Sequence, residues 1–202
     1  MQKEQAKELL KLVDNYSTFN TIIKVLLFTG MRSGECLGLR WSCIDFEEKK
    51  ITIDKTLTYA NNRWFLATPK TKASMRTISM DDAVAEILLK HKEEQDRAKA
   101  IVGEAWQQPK LVFTSCTGHH YDRSLLNTQF RTLLRKHPEI PYISIHGLRH
   151  TNASLLIFAG EDISVISKYL GHSTVDITSR VYAHMFSEVN VRVPRTISSA
   201  LL

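Results

Sequence analysis

One segment, residues 18–35, dominates the hydrophobic pattern of this chain and reads TFNTIIKVLLFTGMRSGE. Apolar side chains occupy nearly every side of the helix that this segment predicts, a pattern that indicates a buried helix. Gly30 predicts the end of the helix. Arg32 follows two residues later, between Gly30 and Gly34, so its guanidinium is expected beside the core. A surface arginine whose stem covers apolar side chains gives the same pattern, and this alternative stays open at this point.

Helical patterns continue on both sides of this segment. An apolar stripe at Leu9, Leu10, Leu12 and Val13 predicts an amphipathic helix before it. Capping residues and glycine stops predict further helices after it. These are a short helix at 33–39, one from Asp81 to about Ala100, one at about 124–136, one from His146 to Gly160, one from Asp162 to Gly171, and a last short one from Ser173 or Thr174 to before Tyr182.

The pattern changes to strands between residues 44 and 79. Alternating apolar residues predict strands over 51–57, 64–66 and 75–79, with a turn at Asn61 and Asn62. We therefore predict a small three-stranded antiparallel sheet within a mostly helical domain, which is an α+β fold. The sequence has no repeat, low-complexity segment or Gly/Ser-rich linker, so we expect residues 1–202 to form one domain.

The composition indicates a globular chain with a moderate positive charge. It has 202 residues, with 27 Lys plus Arg against 21 Asp plus Glu, for a formal net charge of +6. A chain of this length buries a core without metal or disulfide staples. The charge favours a polyanionic partner but does not identify one.

Three further features predict a protein of the cell interior. No run of about 18 uncharged apolar residues occurs, so neither a membrane span nor a membrane partner is expected. The charged start, MQKEQAKELL, does not resemble a signal peptide. Cys36, Cys43 and Cys116 form no C-x-x-C pair, which favours a reducing compartment. We therefore expect a cytoplasmic protein.

A cluster of cationic and titratable side chains opens the helix at 146–160. His146, Arg149 and His150 stand at positions i, i+3 and i+4, so they share one face at a helix start. Free backbone N–H groups and the helix dipole make such a start suitable for an anion such as phosphate. A capping histidine beside a solvated arginine is one alternative. A zinc pair is another, but Gly147 stands where the glutamate of an HExxH motif belongs, so we predict no metal.

A tyrosine and a further histidine follow this cluster. His172 comes directly after the glycine stop of Leu170-Gly171, and Tyr182 lies ten residues later. A lone tyrosine is more often a half-buried packing residue than a nucleophile. Two arginines and two histidines nearby change its chemistry, because cations favour the phenolate of a group whose ordinary pKa is near 10. A phenolate forms a covalent intermediate without a metal.

Five short strings in this order resemble the catalytic domain of the tyrosine recombinases, the phage integrase family. They are TGMRSGE at 29–35, TPKTK at 68–72, HGLRH at 146–150, LGH at 170–172, and Tyr182. The strings look most like those of integrases from Gram-positive phages and conjugative transposons. The resemblance spans residues 29–182, which is almost the whole chain.

The resemblance implies a set of site residues. The catalytic set is Arg32, Lys70, His146, Arg149, His172 and the nucleophile Tyr182, and the DNA contacts are Arg32, Lys70, Lys72, Arg149 and His150. Lys70 is favoured as the catalytic lysine, because a Lys-Thr pair before a variable stretch and a strand led by Arg76 fits the family pattern best. Lys72 stays open as an alternative, since the length of this hairpin varies.

The resemblance also implies a reaction that needs no cofactor. Tyr182 attacks a DNA phosphodiester, forming a 3′-phosphotyrosyl bond and releasing a 5′-hydroxyl, and a second 5′-hydroxyl reverses the step without ATP or metal. The two arginines clamp the non-bridging oxygens, and the lysine protonates the leaving oxygen. His146 assists proton transfer to or from the tyrosine, and His172 hydrogen-bonds a phosphate oxygen.

The implied partners are double-stranded DNA attachment sites and further protomers that form a tetrameric synapse on DNA in the full-length protein. Because integrases of this kind carry core-binding and arm-binding domains before the catalytic domain, residues 1–202 are expected to be the catalytic domain alone. Two other functions stay open. One is a DNA-binding module without activity that serves as an accessory protein, and the other is a nicking enzyme like the type IB topoisomerases.

Overall fold

The computed structural model describes residues 1–69 and 74–171, and helices make up most of these residues. The seven helices in the described ranges are α1 Lys3–Leu12, α2 Thr18–Thr29, α3 Ser33–Leu37, α4 Asp82–Val102, α5 Arg123–Lys136, α6 Ile145–Ala159 and α7 Ile163–Leu170. The same ranges contain five strands, β1 Ile44–Asp45, β2 Lys50–Ile53, β3 Thr56–Ala60, β4 Arg63–Ala67 and β5 Arg76–Ser79. The predicted α+β class is confirmed.

The helices begin and end close to the predicted residues because the capping residues act as their types suggest. The Asp81 side chain accepts a hydrogen bond from the Val84 N–H and starts α4. Gly30 and Gly171 end α2 and α7 in the left-handed conformation. The helix expected from His146 starts one residue earlier, because the Ser144 side chain caps it. The helix predicted between Ser173 and Tyr182 lies outside the described residues.

A three-stranded antiparallel sheet is present, but its strands are not the three that the sequence predicts. The predicted strand over 51–57 is two strands: β2 pairs with β1 and β5 in an antiparallel sheet of order β1-β2-β5, and β3 pairs only with β4. The break falls at Asp54, whose carboxylate binds the Arg40 guanidinium and accepts a hydrogen bond from the Cys43 thiol. Asn61 and Asn62 adopt positive φ angles of 50° and 61°, as a tight hairpin turn requires.

The core lies around α2, as its apolar pattern predicts. Ile22, Ile23 and Val25 are fully buried, and the helix packs against α3, α4 and α6. The short helix α3 packs in turn against β3. This packing brings the residues that follow α2 next to the first turn of α6. Within the described ranges, no helix is both long enough and apolar enough to cross a bilayer.

Candidate active site

Three of the predicted site residues line one cleft of about 1120 Å³. Arg32 comes from the start of α3, and His146 and Arg149 come from the first turns of α6. The start of α5 and the β3–β4 hairpin form other walls. The fold therefore brings together cationic and imidazole groups that lie far apart in the sequence.

The guanidinium of Arg32 is fixed on two sides. Its Nη1 donates to Glu35 Oε1 at 2.8 Å, and its Nη2 donates to the Gly171 carbonyl oxygen at 3.1 Å. The side chain remains 38% exposed. Arg32 therefore lies beside the core, as predicted, and is held by partners while still open to the cleft. This arrangement differs from that of a surface arginine whose charged end is free in water.

Glu35 is a buried carboxylate that the sequence reasoning missed. It is 3% exposed and accepts hydrogen bonds from the Arg32 backbone N–H, the Arg32 guanidinium and the Arg76 guanidinium. Burial alone raises the pKa of the Glu35 carboxyl, but attraction to Arg76 and hydrogen bonds from both arginines outweigh it and hold the pKa below its ordinary value. The available signal was its spacing, three residues after Arg32 on one helical turn.

Arg149 is the most deeply placed cation of the cleft. It is 3% exposed, and its Nη1 donates to the Gly30 carbonyl oxygen at 2.7 Å. Asn152, one turn further along α6, donates from Nδ2 to the carbonyl oxygens of Leu27 and Phe28 at 2.9 and 3.0 Å. The last carbonyl groups of α2 are thus bound by side chains of α6. This junction fixes the position of Arg149 relative to Arg32.

His146 and His150 lie edge to face, with ring centroids 4.8 Å apart. Burial lowers the pKa of His146 below its ordinary value, and repulsion by a protonated His150 and by the charges of Arg149, Arg32 and Arg123 lowers it further. Burial and the Arg149 charge lower the pKa of His150 in the same way. Both imidazoles are therefore neutral at neutral pH and able to accept a proton. Unlike His146, His150 does not line the cleft within the described part of the chain.

The remaining predicted residues, Lys70, Lys72, His172 and Tyr182, lie outside the described residues. Pro69 and Ser74, which come before and after residues 70–73, both line the cleft. Within the ranges 1–69 and 74–171, no cluster of three or more His, Cys, Asp or Glu side chains is placed to hold a metal ion.

Two further features of the cleft were not predicted. Arg123 and Asn127 line it from the start of α5, and the Arg123 charge contributes to the lowered pKa of His146. Tyr59 and Trp64 form a ring pair with centroids 4.9 Å apart on the hairpin wall. No motif marks these residues, because only the folded chain brings them to the cleft.

Two anchored guanidinium groups beside an imidazole are chemically suited to bind an oxyanion such as a phosphate group. The chain belongs to the phage integrase family, whose model matches residues 1–188. The resemblance drawn from the five sequence strings is thereby confirmed.

Individual relatives agree with this assignment. The chain is 30% identical over 186 residues to a XerC-like tyrosine recombinase of Caldanaerobacter subterraneus, covering 86% of this chain and 47% of the relative. It is 29% identical over 187 residues to the ICEBs1 integrase of Bacillus subtilis, covering 91% and 50%. A solved Tn1549 transposon integrase in complex with transposon right end DNA shares the fold, with a TM-score of 0.81 at 22% identity, covering 96% of this chain and 65% of that one. The chain thus spans about half the length of these curated relatives.

Proposed function

We propose that this chain is a tyrosine-type site-specific DNA recombinase, an integrase that cleaves and rejoins DNA through a 3′-phosphotyrosyl intermediate. The observation that carries the proposal is the convergence of Arg32, His146 and Arg149 on one cleft in a member of the phage integrase family. The DNA bound to the Tn1549 transposon integrase supports DNA as the partner of this chain too. In this proposal, residues 1–202 form the catalytic domain.

The proposed reaction gives one role to each predicted site residue. The Tyr182 oxygen forms a bond to phosphorus while the bond from phosphorus to the 5′-oxygen breaks. Arg32 and Arg149 stabilise the added negative charge of the transition state, and they are effective because protein groups already hold them in place. His146 is neutral at neutral pH and accepts the tyrosine proton.

The two remaining roles fall on residues outside the described ranges. Lys70 donates a proton to the leaving 5′-oxygen, with Lys72 as the alternative, and His172 hydrogen-bonds a phosphate oxygen. His150 supports its neighbours, so its removal should cost less than removal of Arg149. No cofactor is part of the proposed mechanism, because the phosphotyrosyl bond conserves the energy of the bond that it replaces.

The proposed partners are double-stranded DNA attachment sites and further protomers that assemble on that DNA, as a tetrameric synapse in the full-length protein. The proposed place of action is the interior of a bacterial cell, on DNA.

A covalent-capture assay tests the proposal. Substrates are first selected from a random library of nicked duplexes as the DNA molecules that stay attached to the protein in detergent. The chain is then incubated with the selected duplexes, whose nick lets the cleaved fragment diffuse away so that the adduct accumulates. We expect a protein–DNA adduct from the unmodified chain and none from Tyr182→Phe. Tyr142→Phe is the matched control, because Tyr142 is exposed and lies outside the cleft, and it should react normally.

The other outcomes of this assay separate the competing functions. DNA binding without any adduct indicates a DNA-binding module without activity. An adduct together with relaxation of supercoiled DNA, but without strand exchange, indicates a topoisomerase-like nicking enzyme. An adduct from Tyr182→Phe contradicts the assignment of the nucleophile.

The same assay identifies the catalytic lysine. Lys70→Ala should slow cleavage by about 100-fold, as expected when a general acid is lost, and Lys72→Ala should have a much smaller effect. A substrate with sulfur in place of the leaving 5′-oxygen should restore the rate of Lys70→Ala, because a thiolate leaves without a proton. The reverse pattern assigns the role to Lys72.

A further inference from the structure

Arg76, the first residue of β5, binds three separate parts of the site at once. We propose that Arg76 is a positioning residue for DNA cleavage: it holds Glu35, and through it Arg32, in register with the chain just after the predicted lysines and just before the predicted histidine. This inference rests on the proposed function, since it concerns the same reaction. Arg76 does not itself line the cleft among the described residues, so it acts through its neighbours.

Two contacts of Arg76 reach other elements, α3 and α7, and the third is a local contact to the chain just before β5. Its Nη2 donates to Glu35 Oε2 at 3.1 Å, its Nε donates to the Tyr169 carbonyl oxygen at 2.7 Å, and its Nη1 donates to the Ser74 carbonyl oxygen at 3.3 Å. Only 7% of the side chain is exposed. A planar guanidinium has donors on three sides and binds all three of these oxygens at once. A lysine ammonium is a compact group on a flexible stem and cannot reproduce this arrangement.

The first link runs through Glu35 to the cleft. Glu35 Oε1 binds the Arg32 guanidinium, while Oε2 accepts from the Arg32 backbone and from Arg76. The carboxylate therefore bridges a cation that faces the cleft and one that does not. Removing Arg76 leaves a buried carboxylate with Arg32 as its only cationic partner among the described residues, which frees both groups to shift. A displacement of about 1 Å in a reacting geometry costs about 100-fold in rate.

The second link closes a ring around the end of α7. Arg76 binds the carbonyl oxygen of Tyr169, and Arg32 binds that of Gly171. Carbonyl groups at a helix C-terminus lack helical partners and carry partial negative charge, so cations stabilise them. The ring thus runs from Arg76 through Glu35 and Arg32 to Gly171, and back along the chain to Tyr169. The residue that follows Gly171 in the sequence is His172, a predicted phosphate ligand.

The third link reaches the segment that carries the predicted lysines. Ser74, whose carbonyl oxygen binds Arg76, is the first described residue after Lys70 and Lys72. Arg76 itself is fixed in the sheet, where it is paired with Ile53 of β2. One side chain therefore ties the sheet to both chain segments that lead to the predicted proton donor and phosphate ligand.

The test separates positioning from a purely structural role. Cleavage by Arg76→Lys is measured at saturating DNA, with thermal unfolding recorded in parallel. We expect a rate about 100-fold lower than that of the unmodified chain, with DNA affinity retained and the protein folded at the assay temperature. Arg40→Lys is the matched control, because Arg40 also pairs with a carboxylate, Asp54, but away from the cleft. Its rate should stay close to that of the unmodified chain.

A double-variant comparison tests the route through Glu35. If Arg76 acts through Glu35, the pair Arg76→Lys with Glu35→Gln cleaves no more slowly than the slower single variant. If Arg76 acts on the rate by a route that does not involve Glu35, the two effects on rate multiply instead.

Arg76→Met adds a pH test. The charged and titratable groups facing Glu35 are Arg32, Arg76 and the buried Cys36 thiol. Loss of the Arg76 charge raises the Glu35 pKa, so the rate of Arg76→Met relative to the unmodified chain should fall further as the pH is lowered from 7 to 5. In Arg76→Lys, which keeps the charge, this ratio should stay flat.

A measurement without DNA keeps this inference separate from the proposed function. In nitrogen-15 NMR spectra of the free protein, the Arg32 side-chain signal should shift and exchange faster with solvent in Arg76→Lys than in Arg40→Lys. Unchanged Arg32 signals overturn the inference even if the chain forms the adduct. An absent adduct with shifted Arg32 signals overturns the proposed function and leaves the positioning by Arg76 standing. Normal cleavage by Arg76→Lys also overturns the inference.

Discussion

At the scale of single residues, the carboxylate of Glu35 lies among positive charges in a cleft proposed to bind an anion. Its charge opposes phosphate binding, yet it aligns Arg32 by contacts to both the backbone and the guanidinium. Because it is buried between Arg32 and Arg76, the negative charge is compensated within the protein. The net effect is a guanidinium with a fixed direction, which stabilises a transition state better than a mobile one.

Replacing this carboxylate should show its contribution to stability. Glu35→Gln should lower the free energy of unfolding by about 3 kcal/mol at pH 7, because it leaves Arg76 buried without its ionic partner. The pKa of Glu35 is lowered in the folded chain, so its stabilisation is present above the unfolded pKa and is lost as pH falls through the folded value. The difference between the two proteins should therefore narrow below about pH 4. Urea unfolding of the unmodified chain and of Glu35→Gln at pH 7, 5 and 3.5 measures this difference in unfolding free energy.

The exposed Glu47 supplies the control for this experiment. Glu47→Gln should change the unfolding free energy little at any of the three pH values. If the Glu35→Gln difference stays constant from pH 7 to pH 3.5, the carboxylate is not held ionised by the two arginines.

The residues of the site differ in how far the sequence reveals them. Arg32, His146 and Arg149 were predicted because each belongs to a short string that resembles the family's catalytic motifs, and His146 and Arg149 also share one face at a helix start. Glu35 was missed although Arg32 stands three residues before it, and its pairing with Arg76 was missed because the two residues lie in different elements. Arg76 touches Tyr169, which is 93 positions away in the chain, and no periodicity encodes such a contact.

At the scale of elements, the junction of α2 with α6 and α7 sets the geometry of the cleft. Gly30 ends α2 with a φ of 62°, and its carbonyl oxygen accepts from Arg149. A Cβ atom at this position lies 2.5 Å from Leu170 Cδ2 and 2.7 Å from Asn152 Oδ1. The glycine is therefore required by both the backbone conformation and the close approach of two helices.

Two glycine substitutions separate these requirements. Gly30→Ala should cost about 3 kcal/mol, combining left-handed strain with a steric clash. Gly160→Ala should cost about 1 kcal/mol, because Gly160 also has a positive φ of 91° but a Cβ there meets no atom within 4 Å. Thermal and urea unfolding give both values. Equal costs at the two positions contradict tight packing at the α2 junction.

The strands show where sequence patterns reach their limit at this scale. The helices were predicted well because caps and glycine stops are local signals. Residues 51–57 alternate like one strand, yet the chain leaves the sheet at Asp54, where the carboxylate binds Arg40. That partner is 14 positions away, so only the folded protein determines the division into β2 and β3.

At the scale of the whole molecule, the net charge of +6 is distributed unevenly. Along α4, Lys90, Lys92 and Arg97 each pair with a carboxylate on the same helix, so their charges are locally balanced. In the cleft, Arg123 has no ionic partner among the described residues and is exposed. The cleft therefore presents the charge of Arg123 to a polyanion, whereas these three cations of α4 are already balanced by carboxylates on their own helix.

This distribution predicts how salt affects DNA binding. Each phosphate neutralised by a cation contributes about 0.9 to the slope of log affinity against log salt concentration, because counterions are released. Arg123→Gln should reduce the magnitude of the slope by about 1, while Arg97→Gln, the matched control on α4, should leave it unchanged. Fluorescence anisotropy with a labelled duplex between 50 and 200 mM salt measures both variants. If Arg97→Gln reduces the slope as much as Arg123→Gln, DNA does not bind preferentially at the cleft.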